Sequence, residues 1–345
     1  MILHVATLSL MLVVLAPLTV LAELRLPPGF TVRVHVTGEG FDGAGGSTGT
    51  GFPSSSTLAF DESGMLYLAR TGRRYGGSEE YDLTRVYRIP PAGARLTPAS
   101  EARYAYGPPL HNPQVAVVHG SDVFVSTFEV DRKVGVFYRL REGRAELVAG
   151  GTPERGTAPL LSQPEGAAVD SAGNVYVADR QRGVVLKLDP SGRVIDPSYL
   201  TVRRPRGLLM DKQDTLWVAS DGDADAPWQR GQGELIKVTG KDAASVVVRG
   251  VVAAGIALAP DGHVFVADRH AAKIIAVARD GTAGEFATFT DGDAPRGITF
   301  APSTRETRAA GIAGDLFVVT IRRAAWSVNE VLRISGPFDD LRRSR

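Results

Sequence analysis

From residue 55 to 335 the chain reads as short apolar runs punctuated by glycine- and aspartate-rich turns, without the long 3.6-residue periodicity of amphipathic helices. One phrase recurs. Gly166-Ala167-Ala168-Val169-Asp170, followed by Gly173-Asn174-Val175-Tyr176-Val177-Ala178-Asp179, returns as Gly255-Ile256-Ala257-Leu258-Ala259 and Gly262-His263-Val264-Phe265-Val266-Ala267-Asp268. Looser copies occupy 58–70, 115–127, 207–220 and 297–320. The equivalent glycines Gly166, Gly207, Gly255 and Gly297 lie 41, 48 and 42 residues apart, close to the roughly 40–50 residues of a propeller blade. Six copies predict an all-β, six-bladed β-propeller.

Each copy continues into a third strand, as in 184–188 and 235–238, where apolar and polar positions partly alternate with the period of two expected of a strand. A fourth, outer strand completes a four-stranded blade. The last copy stops after Glu330-Val331-Leu332-Arg333-Ile334 and lacks one, whereas 30–36 has no blade of its own. That N-terminal strand is therefore expected to pair with the last blade and close the ring, which removes exposed sheet edges. Each blade buries its apolar face only against its neighbours, so residues 23–345 are expected to form one domain.

Residues 1–22 are an apolar stretch ending in Val20-Leu21-Ala22, with the first acidic residue at Glu23. This is the pattern of a secretory signal with a small residue at the cleavage point, although no Lys or Arg precedes the apolar core. The expectation is a periplasmic or secreted protein with no integral membrane domain once the signal is removed. An uncleaved N-terminal anchor is the alternative. The chain has no cysteine, so stability must come from packing and strand pairing. A net charge of +1, and no basic run interleaved with aromatics, argue against a nucleic-acid partner.

In a four-stranded blade the loops entering the first strand and leaving the second share one rim, and the insertions 38–56, 71–83 and 221–233 all fall there. Functional residues cluster on such loops. Glu165 is a carboxylate at an entry position otherwise held by Arg206, Ala254 and Arg296, which makes it a candidate metal ligand or general base as well as a structural ion-pair partner. His111 and His270 on the same rim are candidate bases. Arg70, Arg206 and Arg296 could bind an anion through their guanidinium forks. Asp179 and Asp268 could join a ligand or metal site, or fix the turns that follow their strands. Separately, Asp221, Asp223 and Asp225 offer alternating hard oxygens for calcium or another divalent metal, but Ala226 and Gln232 stand where a helix-flanked calcium loop needs Gly and Glu. Gly45-Gly46-Ser47-Thr48-Gly49 and Gly38-Glu39-Gly40-Phe41-Asp42-Gly43 match a hydrolase elbow and a dinucleotide fingerprint, yet neither opens a helix; both are read as loops.

The passage from Gln163-Pro164-Glu165-Gly166 to Asp179, with its echo at 255–268, resembles NHL repeats and the related gluconolactonase and streptogramin-lyase propellers. The gluconolactonase resemblance implies a divalent metal in the channel held by Glu, Asn and Asp, with Glu165 standing for the Glu and Asp179 or Asp268 for the Asp. Arg206 and Arg296 occupy the expected Asn positions. A second resemblance, carried by Leu26-Pro27-Pro28-Gly29-Phe30, Leu58-Ala59-Phe60-Asp61 and Gly314-Asp315-Leu316-Phe317-Val318, is to glucose/sorbosone dehydrogenase propellers. It implies pyrroloquinoline quinone, with Arg206 and Arg296 on its carboxylates and His111 or His270 as hydride-transfer base. The functional expectation is a rim that binds a small polar or anionic ligand, with metal-dependent lactone hydrolysis near Glu165. The alternatives are a quinone-dependent sugar dehydrogenase and a non-catalytic module that binds protein or glycan.

Overall fold

The computed structural model describes residues 24–38, 57–69, 83–129, 134–155, 157–223, 233–241, 243–322, 330–339 and 341. The expected signal segment, Arg70, Asp225, the two glycine-rich motifs at 38–49 beyond Gly38, and most of the three rim insertions lie outside these residues. Six antiparallel sheets stand in a ring, and their innermost strands are Leu58–Phe60, Gln114–His119, Pro164–Val169, Pro205–Met210, Ala253–Leu258 and Asp293–Phe300. Each inner strand packs against the next and the last against the first, as the six-copy repeat predicts.

Two of the repeated glycines, Gly166 and Gly255, sit where neighbouring inner strands approach closely. A Cβ on Gly166 would lie 2.7 Å from the carbonyl oxygen of Arg206, and one on Gly255 would lie 3.1 Å from that of Arg296. A larger residue would push neighbouring blades apart, so the spacing of the glycines records the closeness of the ring.

Ring closure follows the sequence expectation. Thr31–Gly38 pairs antiparallel with Glu330–Ser335, with Val32 opposite Ile334 and Val34 opposite Leu332, and becomes the fourth strand of the last blade. Two further pairings were not legible in the repeat. Ala94–Leu96 adds in parallel to the outside of Thr31–Gly38, and Leu24–Arg25 adds to Ala283–Phe289 of the fifth blade. Phe30, Phe265, Phe286 and Phe338 gather beside this seam, with Phe30 edge-on to Phe286 and Phe338 at 5.0 and 4.8 Å. Edge-to-face rings favour this geometry beyond their burial alone. The insertion at 302–314 forms a short helix, Arg305–Ala309, capped by Thr304, whose hydroxyl also donates to the Glu62 carbonyl at 2.8 Å and so ties the last blade to the first.

The rim that carries the tight turns uses one device three times. Asp61, Asp170 and Asp211 open the turn between first and second strands and accept backbone N–H bonds from residues four positions on, at 2.8–3.0 Å. Each also accepts from the aromatic residue six positions on: Tyr67 at 3.1 Å, Tyr176 at 3.2 Å and the Trp217 indole at 3.1 Å. A cation from the third strand then covers each ring, Arg88 at 5.9 Å, Lys187 at 5.0 Å and Lys237 at 5.6 Å. The bound donors hold Asp170 and Asp211 below the ordinary carboxylate pKa, against the opposing effect of burial.

Candidate functional site at the channel mouth

The channel between the inner strands has a volume of about 350 Å³ and is lined by their glycines and the apolar residues that follow, such as Ala167, Leu208 and Ile256. At the loop-rich end it is capped by charge. A bulge at the start of the inner strand recurs in the third to sixth blades, between Pro164 and Ala167, Pro205 and Gly207, Ala253 and Gly255, and Pro295 and Gly297. The extra residue of each bulge is free of the ladder register, which is how Glu165 and Arg206 come to share the mouth.

Glu165 and Arg206 are both buried, and their nearest charged atoms lie 3.8 Å apart. The Glu165 carboxylate also accepts from the Gln163 side-chain amide at 3.3 Å, while Ser126 Oγ donates to its backbone carbonyl. Arg206 makes its main pairing elsewhere. Its Nε lies 3.1 and 3.0 Å from the two oxygens of Asp221, and its Nη2 donates to Oδ2 at 2.6 Å. Arg180 Nε donates to that same oxygen at 3.2 Å. Asp221, only 1% exposed, is thus clamped between two guanidinium groups.

The electrostatics follow from this packing. Burial alone would raise the Asp221 pKa, but Arg206, Arg180 and Arg269 outweigh it and hold the carboxyl below the usual range. Burial pulls the Arg206 pKa down, and Asp221 with Glu165 more than reverses it. Arg180 is the exception. Burial and then the charges of Arg206 and Arg204 lower its pKa further than Glu165 and Asp221 raise it. Arg206, Arg180 and Arg269 thus all act on Asp221, while Arg206 and Arg204 crowd Arg180.

The other predicted residues are placed as follows. Asp179 accepts from the backbone N–H groups of Ser162, Gln163 and Arg182 at 2.6, 3.1 and 3.0 Å, which fixes the turn after its strand. Asp268 does the same with His270 and Ala271, both at 3.0 Å. In blade four the equivalent residue is Ser220, which takes over the turn by donating to the Arg203 carbonyl and accepting from Gly222 N–H. Asp221, one residue later, is thereby available to the mouth. Strand alternation sends the residue after the turn-fixing position inward, so Arg180 and Arg269 are the mouth residues, one step beyond the aspartates singled out by sequence.

Asp223 is exposed and pairs with Arg203. His111 ends the outer strand Ala105–His111 of the first blade, opposite Leu83. His270 is half-buried, and among the described residues its Nδ1 has no hydrogen-bond partner. Arg296 occupies the bulge of the last blade, half-buried.

The donor set expected for a divalent metal is not assembled by these side chains. Among the described residues no three His, Asp or Glu groups converge as ligands, and both Asp179 and Asp268 are spent on backbone donors. Of the three carboxylates proposed for calcium, Asp221 and Asp223 pair with different arginines, and Asp225 lies outside the described residues. Arg206, expected to fork onto a quinone carboxylate, forks onto Asp221 instead.

No protein-family model and no curated protein matches the chain. Solved structures do. The quinone-bound aldose sugar dehydrogenase of Streptomyces coelicolor aligns over 90% of this chain and 100% of its own, with TM-score 0.53 and 15% identity. A putative gluconolactonase aligns over 90% and 94%, with TM-score 0.52 and 13% identity. A catalytically inactive histidine-to-alanine variant of virginiamycin B lyase from Staphylococcus aureus, solved with quinupristin, aligns over 89% and 99%, with TM-score 0.51 and 12% identity. What these share with the chain is the propeller architecture. Identities this low carry the architecture and leave the chemistry to the site.

Proposed function

We propose that this propeller is exported and binds a small polycarboxylate anion at its loop-rich mouth, above the Glu165–Arg206–Asp221 cluster. The observation that carries the reading is Arg180. It commits Nε to Asp221, yet its charge is disfavoured by burial and by Arg206 and Arg204, a state that an added anion relieves. The internal pairs Arg206–Asp221 and Arg206–Glu165 act as a rigid floor, and Arg180 is the binding group. The carboxylates expected to hold a metal are engaged instead with backbone donors, at Asp179 and Asp268, and with Arg206, at Glu165.

Calorimetric titration with citrate, and with pyrroloquinoline quinone as a tricarboxylate probe, tests this at low and high salt. Binding that weakens with salt and is lost in Arg180→Met supports the reading. Failure of both anions to bind, or binding unchanged in Arg180→Met, refutes it. Quinone binding followed by sugar-dependent dye reduction would place the chain among quinone-dependent sugar dehydrogenases. Sequencing the N-terminus of the protein recovered from its producing cell tests export; a chain that still begins at Met1 and stays in the cytoplasm counts against it.

A further inference from the structure

On the tight-turn rim, neighbouring blades are closed against one another in different ways. Between the third and fourth, the Ser171 N–H donates to Asp214 at 2.9 Å and the Ser171 hydroxyl donates to the same carboxylate. Between the last and the first, Thr304 donates to the Glu62 carbonyl. Between the fourth and fifth, no hydrogen bond or ion pair among the described residues joins the turn 211–215 to the turn 259–263. A cavity of about 270 Å³ remains there, lined by Asp211, Lys212, Trp217 and Lys237 of one blade and by Gly262 and Arg279 of the next. Its cations are less committed than their counterparts. Arg88 and Lys187, over the aromatic rings of blades one and three, also pair with the turn aspartates at 3.9 and 3.7 Å. Lys237 covers Trp217 in the same way, yet makes no ion pair among the described residues. Both oxygens of Asp211 are taken, by the N–H groups of Gln213 and Thr215 and by the indole. Across the cleft Arg279 lies against Gly262, where a Cβ would come within 2.6 Å of its Nε and Nη2, and its hydrogen bonding among the described residues is a 3.5 Å contact to the Asp261 carbonyl. The Asp261 carboxylate is turned to His263, accepting its backbone N–H at 3.0 Å and facing its ring Nδ1 at 2.8 Å. Blade five also has Ala259 and Phe265 where blades one, three and four have Asp and Tyr or Trp, so that position adds no acid to the cavity.

We propose that this cleft between blades four and five binds a phosphate or sulfate group, free or as the monoester of a small molecule, between Lys237, Arg279 and Lys212. A tetrahedral oxyanion presents oxygens in several directions and can meet cations arriving from two blades, whereas a carboxylate has two oxygens in one plane. The ammonium groups act on such an ion as point charges and the guanidinium as a fork. The volume lies just under the roughly 300–1,000 Å³ of pockets that enclose a drug-sized ligand, which suits a small ion or the charged end of a larger molecule. The wall behind the ion is the Trp217 indole, held by Asp211 at 3.1 Å, so the blade-four side of the site is fixed before anything binds. The cleft is on the opposite rim from the Glu165–Arg206–Asp221 cluster and does not depend on it.

Trp217 supplies a local reporter. The chain has three tryptophans, and the indole N–H resonance lost in Trp217→Tyr, the residue type of blades one and three, identifies this one. In the full chain that resonance is expected to shift and saturate with inorganic phosphate and with sulfate, and to stay in place with acetate or chloride at equal ionic strength. Arg279→Met and Lys237→Met should each raise the apparent Kd for phosphate about tenfold, the size expected when a hydrogen bond to a charged group is lost. Arg279 is exposed, so its variant should keep the wild-type urea midpoint, which separates lost binding from lost folding. Glycerol phosphate distinguishes the two sources of the group: tighter binding than inorganic phosphate supports a monoester ligand, and weaker binding supports the free ion. A Trp217 resonance that does not move with phosphate, that moves equally with acetate, or that keeps its phosphate response in both methionine variants overturns the proposal.

Discussion

The two rims of the wheel solve the same problem, a carboxylate near the surface of a β-core, in opposite ways. On the tight-turn rim Asp61, Asp170 and Asp211 are satisfied within their own blades, by backbone and an aromatic partner no more than six residues away. On the loop-rich rim Asp221 is held by Arg206, 15 residues away, and by Arg180, 41 residues away in another blade. Local satisfaction builds a turn that can be repeated. Pooled charge builds a single place in the molecule, and any imbalance there becomes available to a ligand.

Deleting a carboxylate at each rim gives the sharpest contrast. Asp221→Ala leaves Arg206 and Arg180 buried together without their shared partner, and should cost about 3–5 kcal/mol in urea unfolding. A loss below about 1 kcal/mol would mean that water or another residue compensates, and that the cluster is not a rigid floor.

The seam between first and last blades sets a second, pH-dependent test. His35, on the closing strand, is buried against Phe317 with Nε2 unpartnered, and burial, then Arg33, lowers its pKa to about 4. A depressed folded pKa means that the unfolded chain binds the proton first. The stability is therefore fully present above about pH 6.5 and is lost as the pH falls toward 4, by about 3 kcal/mol. Denaturation midpoints measured across that window, with His35→Phe as the variant that flattens this part of the profile, check both sign and size.

Smaller effects are expected on the tight-turn rim. Asp211→Ala strands the N–H groups of Gln213 and Thr215 and the Trp217 indole, for about 1–3 kcal/mol. It should leave anion binding at the opposite rim unchanged in the citrate titration, whereas Arg180→Met should do the reverse. Lys187→Met removes the cation over Tyr176 and Tyr199 and a long pair to Asp170, and should cost about 1 kcal/mol or less. A larger loss would show that the outer cations organise the turns as well as cover them.

How legible these features were depended on how near in the chain their causes lay. The blade count, the closing strand and the common rim of Glu165, Arg206 and Asp221 could be read because repeat spacing and strand alternation are local signals. The roles at the mouth could not. Asp179 and Asp268 drew attention as acids beside a channel, yet their own turns consume them, and the residues delivered inward are Arg180 and Arg269. The alternation that could have found these was present, but it needed the bulge register at Pro164 and Ala253. Nor could any spacing reveal that Ser220, by taking the turn-fixing role, releases Asp221 to Arg206.

The order of apolar and turn residues was enough to dictate six blades and their closure, because each blade is a short-range pattern that can bury itself only against its neighbours. Which charges meet was decided in three dimensions. Desolvation and the distances between side chains on different blades determine whether an arginine is paired, crowded or available, and neither quantity exists until the ring has closed.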